Sequence, residues 1–330
     1  MSIFSQTSLK LFFSKKTGES TAVMNRRDFI RTISLTLGAV GLESTSFNVE
    51  NLGFAEDKPG RKILYFDLST EWEHPPTVDE ADGTSKAAKI VKKLGEAIGY
   101  DVDCTKDGSV FDGDLSQYAA FVFFTCGDLD VKVDAKTPVS KEGMKNLFKA
   151  IRSGTGFLGI HCATDTWQCQ GELFENQPEE ERTEYIKMVG GDFITHGDMQ
   201  EATQRFTEPI QVPALKAFGK SEVKIFDEWY CMKNFNPDMH VIAVQETKGM
   251  RTDGRNGCYD RPAFPSSWVR MEGKGRVAYI APGHGNEQWD TEFVQNFVQD
   301  MMKFVVGQID LDMTPNLEKE CPGAYTLKNK

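Results

Sequence analysis

A chain of 330 residues with 39% hydrophobic and 26% charged residues has the apolar content for one large domain or two small ones. That excludes collagen, wholesale disorder and a disulfide-stapled miniprotein. With 38 Lys and Arg against 49 Asp and Glu the net charge is -11, and no basic block follows the N-terminal region, so a nucleic-acid partner is not expected.

Asn25-Arg26-Arg27-Asp28-Phe29-Ile30-Arg31 sets two adjacent arginines before a weakly apolar, uncharged stretch, Thr32 to Leu42, and resembles a twin-arginine export signal. A membrane anchor needs about 20 apolar residues, and Thr32, Ser34, Thr36, Gly38 and Gly41 interrupt this run, so no transmembrane anchor is expected. Gly53-Phe54-Ala55 before Glu56-Asp57 suggests cleavage after Ala55, and Met24 just ahead of the arginines is a second candidate start. The expectation is a leader over 1–55 and a periplasmic or otherwise exported protein.

From Lys62 short apolar runs alternate with helix-length amphipathic segments. Strands are predicted over 62–67, 101–104, 119–124 and 156–160, with helices over 85–98 and 140–152 between them. Further strands are predicted over 222–229, 240–245 and 275–280, and a closing helix over 291–306. This order favours an open, mostly parallel sheet with helices on both faces, whose ligands gather outside the carboxyl ends of the strands. One domain over 56–307 and an irregular tail over 308–330 follow.

Four segments carry polar chemistry. Gly159-Ile160-His161-Cys162-Ala163-Thr164-Asp165 follows a buried strand, where His161 and Asp165 either satisfy the turn's backbone or face a ligand. Gly190-Gly191-Asp192-Phe193 leads to His196, a ligand or proton shuttle. In Phe226-Asp227-Glu228-Trp229-Tyr230, alternation sends Asp227 and Trp229 to one face and Glu228 and Tyr230 to the other. Carboxylates beside rings suit sugar binding. Trp268-Val269-Arg270 precedes Gly273-Lys274-Gly275-Arg276, whose strand ends on Gly283-His284-Gly285, leaving His284 at another strand terminus. His74 reads as loop and His240 as a strand-end residue.

These four motifs in this order resemble the ThuA-like (trehalose utilisation) family over roughly Lys62 to Val306. The resemblance implies a class I glutamine amidotransferase-like fold, a flavodoxin-like three-layer α/β sandwich, and a setting in carbohydrate metabolism. In the amidotransferases a cysteine nucleophile occupies the strand-to-helix turn. Here His161 stands in its place, Cys162 is displaced by one residue, and His284 with Glu287 matches the downstream His-x-Glu pair only loosely, so no glutamine amidotransferase activity is expected.

The reading is therefore an exported protein acting on a small-molecule sugar or oxidised glycoside by acid-base or metal-assisted chemistry, as a hydrolase, lyase or isomerase. His161, His284, Glu228 and Asp165 are the candidate catalytic residues, and Trp229, Tyr230, Trp268 and Arg276 the candidate substrate contacts. His161, His196 and His284 are candidate ligands of a divalent metal. A non-catalytic carbohydrate-binding module is the alternative, and hydrolysis through Cys162 a third option. A homo-oligomer is left open, as are one or two disulfides among seven cysteines that show no CxxC spacing.

Overall fold

The computed structural model describes residues 62–207, 222–253 and 257–328. The leader over 1–55, with its arginine pair and cleavage site, lies outside these residues. Among the described residues no helix is long and apolar enough to cross a membrane.

The first half alternates strand and helix as its periodicity requires: β1 (Lys62–Phe66), α1 (Lys86–Ala97), β2 (Asp101–Thr105), β3 (Tyr118–Phe123), α2 (Lys141–Arg152) and β4 (Gly156–Ile160). Hydroxyl caps start both helices: Ser85 accepts the amide of Ala88 and Ser140 that of Gly143. The second half carries α3 (Glu184–Val189), β5 (Asp192–His196), β6 (Gln200–Phe206), β7 (Glu222–Asp227), β8 (Tyr230–Lys233), β9 (His240–Glu246), β10 (Phe264–Glu272), β11 (Gly275–Ile280), α4 (Asn286–Trp289), α5 (Glu292–Val305) and α6 (Leu317–Glu320).

The main sheet runs β2-β1-β3-β4-β11-β10-β9-β6-β7. Its first five strands are parallel, in the doubly wound order of flavodoxin-like folds. The expectation of a mostly parallel sheet holds for this core. From β11 outward each neighbour is antiparallel, so β10, β9, β6 and β7 extend the core as a mixed sheet. β5 and β8 form a separate antiparallel pair.

Two glycines show how closely the layers approach. A Cβ on Gly156 of β4 would strike the Val305 backbone of α5, and one on Gly275 of β11 the Ile151 backbone of α2. In parallel register these two positions point to opposite faces, so helices cover the sheet on both sides. β3 and β4 are wholly buried along their length, as continuous apolar runs require.

Residues 308–328 do more than trail. Leu317, Cys321, Ala324 and Leu327 join the core, Asn316 caps the β9 backbone at Val241, and Arg261 donates to the Ala324 carbonyl. All seven cysteines are free thiols in this structure, and the one or two disulfides that the sequence left open are not among its bonds.

Candidate active site

The parallel core and the two alternate antiparallel strands β9 and β7 run in one direction, so β1, β4, β7 and β11 all end at the same edge of the sheet. Each end delivers a polar side chain. The loop after β1 carries His74, the turn after β4 carries His161, β7 ends on Asp227-Glu228, and β11 runs into Gly283-His284. His161 sits at φ 46°, a left-handed conformation that a side chain adopts only where the surroundings hold it.

Glu228 is the hub. One carboxylate oxygen lies 2.9 Å from His196 Nδ1; the other lies 3.1 Å from His284 Nδ1 and 3.7 Å from His161 Nε2. Burial opposes ionisation of Glu228, but the three imidazoles outweigh it and hold the carboxyl well below the ordinary range. For His284 burial pulls the ring toward neutrality, yet Glu228, then Asp227 and Glu287, raise it above the usual imidazole value. Burial, reinforced by His161 and His284, pushes His74 down to about 2, so this ring is neutral.

Hydrogen bonds place a proton on two of the rings. His161 Nδ1 lies 2.8 Å from the Ala281 carbonyl, which only accepts, so Nδ1 donates and Nε2 is the atom turned toward Glu228. That Nε2 is buried without a hydrogen-bond partner. His196 Nδ1 lies 2.9 Å from both Glu228 and the Gly197 carbonyl, two acceptors, so it too carries the proton. One donor atom from each of His74, His161, His284 and Glu228 falls within 4.8 Å of the other three.

Above this group opens a cavity of about 350 Å³ bounded by Trp72, Phe193 and Tyr230, by the rings of His74, His196 and His284, and by Glu228 and Asp165. Tyr230 reaches His74 Nε2 at 3.3 Å and packs its ring 4.5 Å from that of His161. No Lys or Arg lines it among the described residues.

Residues 62–305 match the ThuA family, described as trehalose utilisation. The chain belongs to the ThuA family. Of solved structures, a ThuA-like protein from Bacteroides uniformis shares 20% identity with TM-score 0.55, covering 83% of this chain and 98% of that one. One from Parabacteroides merdae shares 16% identity with TM-score 0.50, covering 82% and 99%. These likenesses concern the fold, which is class I glutamine amidotransferase-like. Among curated proteins none matches.

Within this ThuA-family chain the predicted residues divide. His161, His196, His284, Glu228 and Tyr230 converge, and Asp165 lines the same cavity. There Asp165 accepts from Cys126 Sγ at 3.2 Å, and burial, followed by nearby carboxylates, raises its pKa to about 7. The alternation expected around Glu228 and Tyr230 holds across the break between β7 and β8.

Three predicted substrate contacts are elsewhere. Trp229 faces away from the cavity, buried, with its indole donating to the Gln200 carbonyl at 3.0 Å. Trp268 is core: its indole donates to the Val189 carbonyl at 2.8 Å and packs under Gly190-Gly191 and against Tyr279. Arg276 stands at the amino end of β11, the edge opposite the cavity, where it binds Asp310 at 2.6 Å and the Ile309 carbonyl at 2.7 Å. A binding module built on Trp229 and Trp268 loses both of its rings.

Cys162 is wholly buried outside the cavity lining, and burial raises its thiol well above the ordinary value, so it has neither the access nor the thiolate that nucleophilic attack needs. His74, read from sequence as loop, stands in the donor group with His161, His284 and Glu228, whereas His196, predicted as a ligand, lies outside that group and bonds the other oxygen of Glu228. For His74 the available signal was its place just beyond the carboxyl end of β1, the rule that had singled out His161 and His284.

Proposed function

We propose that this protein acts on a neutral sugar or oxidised glycoside, through a divalent metal held by His74, His161, His284 and Glu228, with His196 as the acid-base residue. The observation that carries the reading is the convergence of four imidazoles on one buried carboxylate at the floor of an open cavity. Lone His residues at strand ends commonly satisfy backbone groups. Here His161 does so with Nδ1 and directs an unpartnered, buried Nε2 toward the other donors. A buried donor of this kind calls for a ligand.

Three imidazoles and a carboxylate suit zinc or another first-row divalent ion. Such an ion supplies polarisation of a carbonyl or hydroxyl oxygen. The chain's own residues do the rest. Glu228 neutralises positive charge and fixes His284, and Asp227 fixes the turn that carries it. His196 donates a hydrogen bond from Nδ1 to Glu228 and the Gly197 carbonyl, which orients its ring on the cavity wall, where it would exchange a proton with the carbon beside a sugar carbonyl. Asp165, poised near neutrality by burial, is a second proton donor on the cavity wall. A lining without Lys or Arg among the described residues disfavours sugar phosphates and uronates.

Elemental analysis of protein purified without chelator tests this directly. About one equivalent of zinc, manganese, iron, cobalt or nickel is expected in the wild type, with loss in His161→Ala and Glu228→Gln. Wild-type protein that neither carries nor takes up an ion would overturn the metal assignment. Export by the twin-arginine route belongs to the same proposal, supported by Arg26-Arg27 and the apolar run after them. Replacing both arginines by lysine is expected to retain the protein in the cytoplasm, read by fractionation.

A further inference from the structure

We propose that Trp72 is a stacking platform for the outer ring of a disaccharide whose inner ring occupies the imidazole-lined cavity. The inference deepens, and rests on, the reading of that cavity as a sugar site. The other four tryptophans are buried, whereas Trp72 is 65% exposed while lining the cavity mouth. Among the described residues its indole makes no hydrogen bond and no ring contact.

Exposure here does not reflect a loose loop. On one side Thr70 donates its amide to the Cys126 carbonyl at 2.9 Å, and Ser69 bridges to Cys126. On the other, Glu73 is gripped at 3.0 Å by both Lys106 and Lys136. His74 follows, buried in the donor group, its carbonyl accepting the Thr77 amide at 2.9 Å. A large apolar ring held over water by anchored neighbours costs hydration energy and is organised before any ligand arrives.

The cavity's volume, about 350 Å³, lies at the small end of ligand sites. Trp72 is the exposed wall of that space, so a second sugar ring reaching outward from the imidazoles would meet its indole. A pyranose presents an apolar C–H face that an indole covers without needing any charge, consistent with a lining free of Lys and Arg.

Calorimetric titration of the metal-loaded protein with trehalose, maltose, cellobiose and methyl α-glucoside separates the possibilities. Trp72→Ala is expected to weaken the disaccharide that binds best by about five- to tenfold, and Trp72→Phe to restore most of that loss. Methyl α-glucoside should bind both variants as it binds the wild type. The bound disaccharide should also blue-shift tryptophan emission in the wild type but not in Trp72→Phe, a readout that a merely structural role would not move. Equal disaccharide affinity in wild type and Trp72→Ala would overturn the platform while leaving the sugar reading intact. A wild type that binds none of the four sugars removes the sugar reading, and the platform with it.

Discussion

Asp227 accepts the backbone amides of Gly283 at 2.8 Å and His284 at 3.1 Å, so the end of β7 and the turn after β11 form one unit. It also accepts the Glu228 amide at 2.8 Å. A buried carboxylate thus sets the separation between Glu228 and His284 without entering the cavity. Replacing it with asparagine leaves one acceptor oxygen and turns an NH2 toward an N–H. Asp227→Asn is expected to lose roughly 1–3 kcal/mol of stability in urea titration, together with metal retention. Unchanged metal content would show that the turn is held by other contacts.

Glu228→Gln removes the charge that three imidazoles share. Its clearest consequence is on His284, whose pKa is raised net by Glu228 against the pull of burial. A histidine raised in the folded state stabilises the fold fully below its unfolded value of about 6.5. That contribution is lost as pH rises through the folded value. In metal-free protein, Glu228→Gln is therefore expected to lower the His284 pKa in an NMR titration and to erase this acid-side gain in melting temperature. An unmoved His284 resonance would contradict the ion pair.

Much of this was legible from residue pattern because the signal was local. The unbroken run Ala119 to Phe124 read as a strand covered on both faces, which β3 is, and the glycines around His284 marked a strand end open to close approach. The convergence of β1, β4, β7 and β11 was not local, since it depends on how the antiparallel strands turn back. His74 therefore read as loop. Trp268 and Arg276 misled for the same reason. Residue type suggested binding, but parity along β10 turned one ring under Gly190-Gly191, and position at the amino end of β11 put the guanidinium at the opposite edge. Trp229 was assigned to the face away from Glu228 by simple alternation, and its predicted ligand role conflicted with that pattern.

The close fit at Gly191 gives a packing test. A Cβ there would stand 2.8 Å from the Trp268 ring, which is buried and held by its bond to Val189. Gly191→Ala is expected to destabilise by about 1–3 kcal/mol in chemical denaturation. Because the clash is with the outer edge of the indole, the smaller ring of Trp268→Phe should recover part of that loss in the double variant, a non-additivity that independent sites do not show.

Asp67, at the end of β1, offers a pH test away from the proposed metal ligands. Burial raises its pKa from 3.8 to about 7, against the attraction of Lys106 and a 2.8 Å hydrogen bond from Ser85. An acid raised in the fold binds its proton more tightly folded than unfolded, so between pH 3.8 and 7 the native state carries the extra proton. Stability then falls as pH rises across that window, with a ceiling on the order of 4 kcal/mol above it. Asparagine keeps an acceptor for Ser85 and cannot ionise. Asp67→Asn is expected to melt close to the wild type at pH 4 and above it at pH 8, the gap opening between those limits. A constant offset across the range would mean that Lys106 keeps Asp67 ionised throughout.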